Sequence, residues 1–257
     1  MTPVPTSKAE RDEVTRAVVV VPTYNERENL PLLVEQLLQI PAVQILVVDD
    51  ASPDGTGALA DALADASGGR MRVMHRTGER GLGRAYIDGL RLALTMDVDV
   101  ICQMDADLSH QPSELPRLLA RSASADIVIG SRYVPGGSVV NWPLRRRLLS
   151  ANANRYIRAL CSLRANDCTS GFRCWRREAL AAMPLAQIRS DGYAFLVELL
   201  FTATAQGCTI AEVPITFVER RHGASKLRLR ILAESALLPW RLSLRASARR
   251  VQPSPSS

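Results

Sequence analysis

The chain reads as an α/β protein with a mostly parallel central sheet and helices on both faces. Two observations predict this. Short hydrophobic runs that read as buried strands alternate with helical patterns at close intervals over residues 17–129. Polar clusters recur where those runs end, at residues 23–26, 49–50 and 105–107. In such sheets ligands sit beyond the carboxyl ends of the strands, so these clusters mark the candidate site.

The elements follow in order. Residues 17–21 form a β-branched run that Pro22 should close. Residues 28–40 place Leu30, Leu33, Val34, Leu37 and Leu38 on one helical face. A second strand spans 45–48 and ends at Asp49-Asp50. The turn Ser52-Pro53-Asp54-Gly55-Thr56 leads into a helix over 57–66, with Ser52 or Asp54 as its cap. A strand at 71–74, a helix at 83–93, a strand at 98–104, a helix at 112–122 and a strand at 126–129 complete the first half. The second half predicts a basic helix over 144–160 and an apolar helix over 194–205. A strand pair or bent strand follows around Pro214, then an amphipathic stretch over 227–244 that Pro239 should kink or end.

Composition narrows the function. A 257-residue chain that is 47% hydrophobic can bury a full core. Its five cysteines (102, 161, 168, 174 and 208) form no Cys-x-x-Cys pair, which argues against zinc and for reduced thiols in a cytoplasmic setting. The first 16 residues lack the apolar core of a signal peptide, and no uninterrupted apolar run reaches the ~18 residues of a membrane span. The net charge of +6 is unevenly spread. Residues 139–177 hold nine Arg against one acid, Asp167, and residues 219–250 hold nine Lys or Arg against two acids. Such blocks call for an anionic partner. Nucleic acid is disfavoured, because only 5% of residues are aromatic and no nucleic-acid motif is present.

The chemistry concentrates in Met104-Asp105-Ala106-Asp107-Leu108-Ser109-His110. Side chains of a strand end alternate, so Asp105 and Asp107 fall on the same side. Converging carboxylates are costly unless a cation neutralises them, and hard oxygen ligands suit Mg²⁺ or Mn²⁺. Alone, the pattern equally describes a capped turn. Asp50, at the neighbouring strand end, is placed to accept hydrogen bonds from a base or ribose. Gly81-Leu82-Gly83 lacks a third glycine, since Tyr86 stands there, and follows no Gly-rich turn; this excludes a nicotinamide fingerprint.

Together with Pro22-Thr23-Tyr24-Asn25-Glu26, Gly130-Ser131-Arg132-Tyr133, residues 167–173 and residues 217–226, these motifs make the chain resemble the dolichol-phosphate mannosyltransferases and polyprenol monophosphomannose synthases. These are inverting family 2 glycosyltransferases of the Rossmann-like GT-A fold, and the resemblance runs from about residue 18 to 229. It implies that Pro22, Tyr24, Glu26, Val48 and Asp50 line the nucleotide pocket. Asp105, Ala106 and Asp107 would bind the sugar nucleotide, with Asp105 and Asp107 holding the cation. Arg132 would meet the reacting phosphates, and Arg220 and Lys226 would close over the diphosphate. Arg146 and Ser150 would hold the acceptor phosphate, and four-residue spacing puts them on one helix face. Some relatives carry a Gln ligand where this chain has Ser109.

The resemblance implies transfer of mannose from GDP-mannose to a polyprenyl phosphate, with UDP-glucose or another sugar nucleotide as the alternative donor. The acceptor monoester, with a second pKa near 6, is ionised at neutral pH and needs no general base. The basic, apolar helices fit peripheral binding at the cytoplasmic membrane face, with Trp142, Leu148, Leu149 and Trp240 as interfacial side chains and a membrane-protein anchor as a partner. The expected organisation is a flexible segment at 1–16, a catalytic domain at 17–226, amphipathic C-terminal interfacial helices at 227–250 and a disordered tail at 251–257.

Overall fold

The computed structural model describes residues 15–219, 237–242 and 244. Seven strands form the central sheet: β1 (Ala17–Thr23), β2 (Val43–Asp49), β3 (Met71–His75), β4 (Val100–Gln103), β5 (Ile127–Ser131), β7 (Arg173–Arg176) and β8 (Ile210–Pro214). Their order is β3-β2-β1-β4-β7-β5-β8. All pairings are parallel except those of β7, which runs antiparallel between β4 and β5. Two short strands, β6 (Ser138–Val140) and β9 (Thr216–Val218), pair in parallel beside it. The helices are α1 (Leu30–Leu38), α2 (Thr56–Ala66), α3 (Leu82–Ala93), α4 (Leu115–Ser122), α5 (Leu144–Cys161), α6 (Arg177–Ala181) and α7 (Gly192–Ala205).

Two apolar layers cover the sheet. On one face Val18, Val20, Leu46, Val48 and Ile101 pack with Tyr86 and Leu90 of α3 and with Phe195 and Leu199 of α7. On the other Val19, Val21, Ile45 and Val47 pack with Leu30, Leu33 and Leu37 of α1 and with Leu115 and Leu118 of α4. The contact of α3 with the sheet needs Gly89. A Cβ there would lie 2.6 Å from Val20 Cγ1 and 2.7 Å from Val48 Cγ2.

Pro22 does not close β1; it lies inside the strand, in register with Val48. Successive residues of a strand bond to alternate neighbours. The Val20 carbonyl accepts from Met104 on the β4 side and the Thr23 carbonyl from Asp50 on the β2 side. Pro22 therefore faces β4, whose pairing with β1 has already stopped at Val20, and no donor is required there.

Other departures are local. The helix expected from residue 112 begins as a single 3₁₀ turn, Pro112–Glu114, before α4. The segment around Pro214 is both a strand and a second short strand, β8 and β9. Pro239 sits within helical residues 237–242, where Leu238 and Leu242 enter the core beside Ile157 and Cys161 of α5. The rest of the expected C-terminal helices, the first 14 residues and residues 245–257 lie outside the described residues. Among the described residues no helix is long and apolar enough to cross a membrane.

Candidate active site

The strand order reverses direction between β1 and β4, and the polar clusters gather at that switch point. Each of the three loops there turns through a non-glycine residue in the left-handed region: Asn25 at φ 57°, Ala51 at 55° and Leu108 at 58°. Such conformations persist where the surrounding structure holds them, and they concentrate at functional sites.

After β4 the period-two alternation continues. Met104, Ala106 and Leu108 enter the apolar layer, and Asp105 and Asp107 take the opposite side at the rim, partly exposed. Tyr86 Oη donates to Asp105 Oδ1 at 2.9 Å, and Ser109 N donates to Asp107 Oδ1 at 3.1 Å. Burial, then the Asp105 carboxylate, pushes the Tyr86 hydroxyl well above its ordinary pKa, so it remains a donor. His110 Nδ1 lies 3.9 Å from Asp105 Oδ2 and, although buried, makes no hydrogen bond among the described residues. Burial holds this imidazole below the usual histidine range, hence neutral at pH 7.

Gly171 backs the same carboxylate. A Cβ at 171 would stand 2.9 Å from Asp105 Oδ2 and 3.1 Å from Oδ1. That clearance, and two carboxylates facing one side, suit a hard divalent ion that keeps several waters and shares substrate phosphates. Among the described residues no third His, Cys, Asp or Glu joins them. Gly171→Ala is expected to displace the Asp105 carboxylate and weaken apparent Mn²⁺ affinity about ten-fold, read by titrating turnover with the metal.

The nucleotide-side residues divide. Pro22 and Thr23 end β1, and Tyr24 is covered by Arg80, whose Cζ lies 5.1 Å from the ring centre. Glu26 Oε2 accepts from Asn29 Nδ2 at 2.8 Å. Asp50 is buried, ion-paired to Arg76, and accepts from Gly81 N at 2.8 Å. Arg76 Nε in turn reaches Asp88 at 2.7 Å. Asp49 and Asp54 are structural. Asp49 accepts from Thr23 Oγ1 and Ser52 N, and Asp54 accepts from Thr56 N at 3.0 Å. Val48 and Ala106 send their side chains into the core, so a ligand contact from either position falls to its main chain.

The other half of the site centres on Arg132, just past β5. Its Nε and Nη2 each donate to Asp167 at 2.7 Å, and Nη2 also donates to Thr169 Oγ1 at 2.8 Å. The guanidinium lies 5.2 Å from the ring centres of Tyr133 and Phe217 and 5.8 Å from that of Trp142. Burial alone would raise Asp167, but Arg132 and its hydrogen bonds outweigh it and hold the carboxyl below the usual range.

Arg146 and Ser150 do share a face of α5. Arg146 Nη1 donates to Glu219 at 2.6 Å and its Cζ stacks 4.0 Å from the Trp142 ring centre. Ser150 Oγ accepts from Tyr133 Oη at 2.7 Å. Asn154, one turn on, accepts from Cys168 N at 2.8 Å, which fastens α5 to the 167–171 loop. Trp142, expected at a membrane interface, is half-buried, with Arg146 over its ring and Phe217 against it edge-on. Arg220 and Lys226 lie outside the described residues.

Sequence reasoning assigned no role to Arg76, Tyr86, His110 or Asp167. Asp167 carried a signal, as the one acid among nine arginines. Arg76 carried none.

Residues 18–183 match the profile of "Glycosyl transferase family 2". The chain is 53% identical over 214 residues to a polyprenol monophosphomannose synthase of Mycolicibacterium smegmatis, covering 82% of this chain and 81% of that protein. It is 47% identical over 232 residues to an undecaprenyl-phosphate mannosyltransferase of Micrococcus luteus, covering 90% and 95%. Its fold is similar to that of a mycobacterial protein at TM-score 0.62 and 20% identity, covering 94% of this chain and 76% of that one. It is also similar to Staphylococcus aureus TarS 1-349 in complex with UDP-GlcNAc, at TM-score 0.53 and 14% identity, covering 87% and 66%. At these identities the two structures speak for the fold alone.

Proposed function

The chain belongs to glycosyl transferase family 2, and from that premise we propose that it transfers mannose from GDP-mannose to a polyprenyl phosphate, with inversion. The observation that carries the reading is that one loop, 167–171, serves both halves of the site. Asp167 clamps Arg132 at one end, and Gly171 leaves room for Asp105 at the other. A donor held at the acidic turn and an anionic acceptor held by arginines would thus meet over the same few residues. The names of both relatives, a polyprenol and an undecaprenyl-phosphate mannosyl enzyme, favour this donor sugar and acceptor class.

The acceptor phosphate oxygen attacks the anomeric carbon, and the bond to the nucleoside diphosphate breaks on the opposite face. The phosphate is largely ionised at neutral pH, so no base has to take a proton from it. The two histidines among the described residues agree: His75 pairs with Asp61 near the surface, and His110 is buried and neutral. Asp105 and Asp107 would hold a divalent cation, which would supply charge to offset the departing diphosphate. Arg132 and Arg146 counter the repulsion between the acceptor and the acidic turn, with Arg220 and Lys226 assigned to the diphosphate from the resemblance alone. Pre-set guanidinium groups suit phosphate oxygens better than ammonium groups do.

The lipid end of the acceptor has a surface to meet. Leu144, Leu148 and Leu149 of α5 are more than half exposed, as are Leu237 and Trp240, with exposed Arg145 and Arg147 between the leucines. This face supports peripheral docking on an anionic bilayer, cytoplasmic in our reading, with a membrane-protein anchor as a further partner.

The deciding experiment is a donor panel against one short polyprenyl phosphate, with and without EDTA. GDP-mannose should be used and EDTA should stop transfer; preference for UDP-glucose would reassign the donor. Because Glu219 holds Arg146, the acceptor must compete with a resident carboxylate. Arg146→Ala is expected to raise the KM for polyprenyl phosphate about ten-fold, and Glu219→Gln to lower it, with the KM for GDP-mannose unchanged in both. Equal changes in both KM values would remove Arg146 from the acceptor site.

A further inference from the structure

The indole Nε1 of Trp142 is buried and has no hydrogen-bond partner among the described residues. Indole nitrogen can only donate. A buried donor left unmade is costly, and native proteins keep one where water, an ion or a ligand completes it. The ring's surroundings say which. Arg146 lies 4.0 Å and Arg132 5.8 Å from its centre, and Phe217 meets it edge-on at 5.4 Å. An orphan donor on a ring that two guanidinium groups approach awaits an acceptor with negative charge.

The two arginines are not equally available to such an anion. Arg132 is committed to a fully buried carboxylate on two of its nitrogens. Arg146 is paired with a half-exposed carboxylate, Glu219. The indole lies near both, and its Nε1 has no partner among the described residues. Resting on the acceptor-site reading above, we propose that Trp142 Nε1–H donates directly to a phosphate oxygen of the acceptor, making Trp142 a binding residue of the phosphate site. The ring face would steer the two guanidinium groups while its edge holds the oxygen.

The test begins with Trp142→Phe, which keeps the ring and removes the donor. A hydrogen bond to a charged group predicts a rise of about ten- to a hundred-fold in the KM for polyprenyl phosphate, with the KM for GDP-mannose unchanged. Arg146→Ala is measured beside it. If Arg146→Ala raises the acceptor KM and Trp142→Phe does not, the indole assignment fails and the acceptor site stands. If neither does, the acceptor site itself fails and takes the indole with it.

The second measurement needs no variant at the site. The protein has three tryptophans, so its indole N–H resonances are readily separated in a ¹⁵N-labelled wild-type sample. Farnesyl phosphate should move one of them downfield, absent from the Trp142→Phe spectrum, at concentrations where inorganic phosphate and GDP do not. An unmoved resonance overturns the proposal. An equal response to inorganic phosphate overturns the lipid acceptor as its ligand, and an equal response to GDP reassigns the donor to the leaving group.

Discussion

Asp107→Ala is expected to leave a folded protein whose turnover has dropped at least a hundred- to a thousand-fold and no longer responds to Mn²⁺ or EDTA. The size follows from what the side chain faces. It stands at the rim of the sheet with Asp105, and removing one preorganised contact to developing charge costs ~2.7–4 kcal/mol. Stability should hardly change. Asp107 is partly exposed, and the hydrogen bond it accepts from Ser109 N is worth about 1 kcal/mol. Asp107→Asn separates the two roles, because an amide oxygen can keep the turn while the charge is lost. If the Asn variant stays active, the acidic turn is a cap and the metal assignment falls. Steady-state rates across a metal titration, with thermal melts of each variant, decide it.

Arg132→Ala is expected to cost both activity and fold. Asp167 has no exposed surface, and removing its guanidinium partner strands a carboxylate in the interior. Breaking a buried pair from one side typically costs 3–5 kcal/mol. The pH dependence distinguishes this from a general loss of packing. In the wild type Asp167 is held below its usual pKa, so its pairing stabilises the fold fully above about pH 4 and is lost as the pH falls through the folded value. Without Arg132 the burial effect dominates and the Asp167 pKa rises; protonation then relieves the stranded charge, so the variant gains stability toward acid. The gap in melting temperature between the two proteins should narrow from pH 7 to pH 4.5. A constant gap would mean that Asp167 is not the source of the defect. Arg132→Lys should recover part of the stability but little activity, since an ammonium cannot make the paired contact.

The first half of the fold was legible because each strand there is an apolar run with a helix after it, and β1 to β5 all appear close to where the residues put them. What hid β7 was its composition. Arg173-Cys174-Trp175-Arg176 carries a charge at each end, yet Arg173 is fully buried and its guanidinium donates to the carbonyls of Ser170, Leu196 and Cys168. Nothing local announces that three main-chain oxygens await it. Spacing put the two acids of the turn on one side and Arg146 and Ser150 on one helix face, since alternation and the helical repeat fix which side chains share a side. The α5 pair itself was singled out only by the family resemblance. The partners of the site residues were not legible. Asp50 with Arg76, Arg132 with Asp167 and Arg146 with Glu219 join segments far apart in the chain, and only the fold brings them together.

The reversed strand also sets a timetable. β7 separates β4 from β5, so residues 127–131 and 210–214 cannot join the sheet before residue 176 has been made. Strands β1 to β3 can assemble early from near neighbours, as between Ala17 and Val43, whereas β4 joins β1 only by a long-range pairing, as between Ala17 and Val100, and β7 joins β4 by another, as between Gln103 and Arg173. A growing chain on the ribosome would thus hold the donor-side loops well before segment 167–171 welds them to the arginine-lined half, and that half would be complete only once residues 210–219 have joined it.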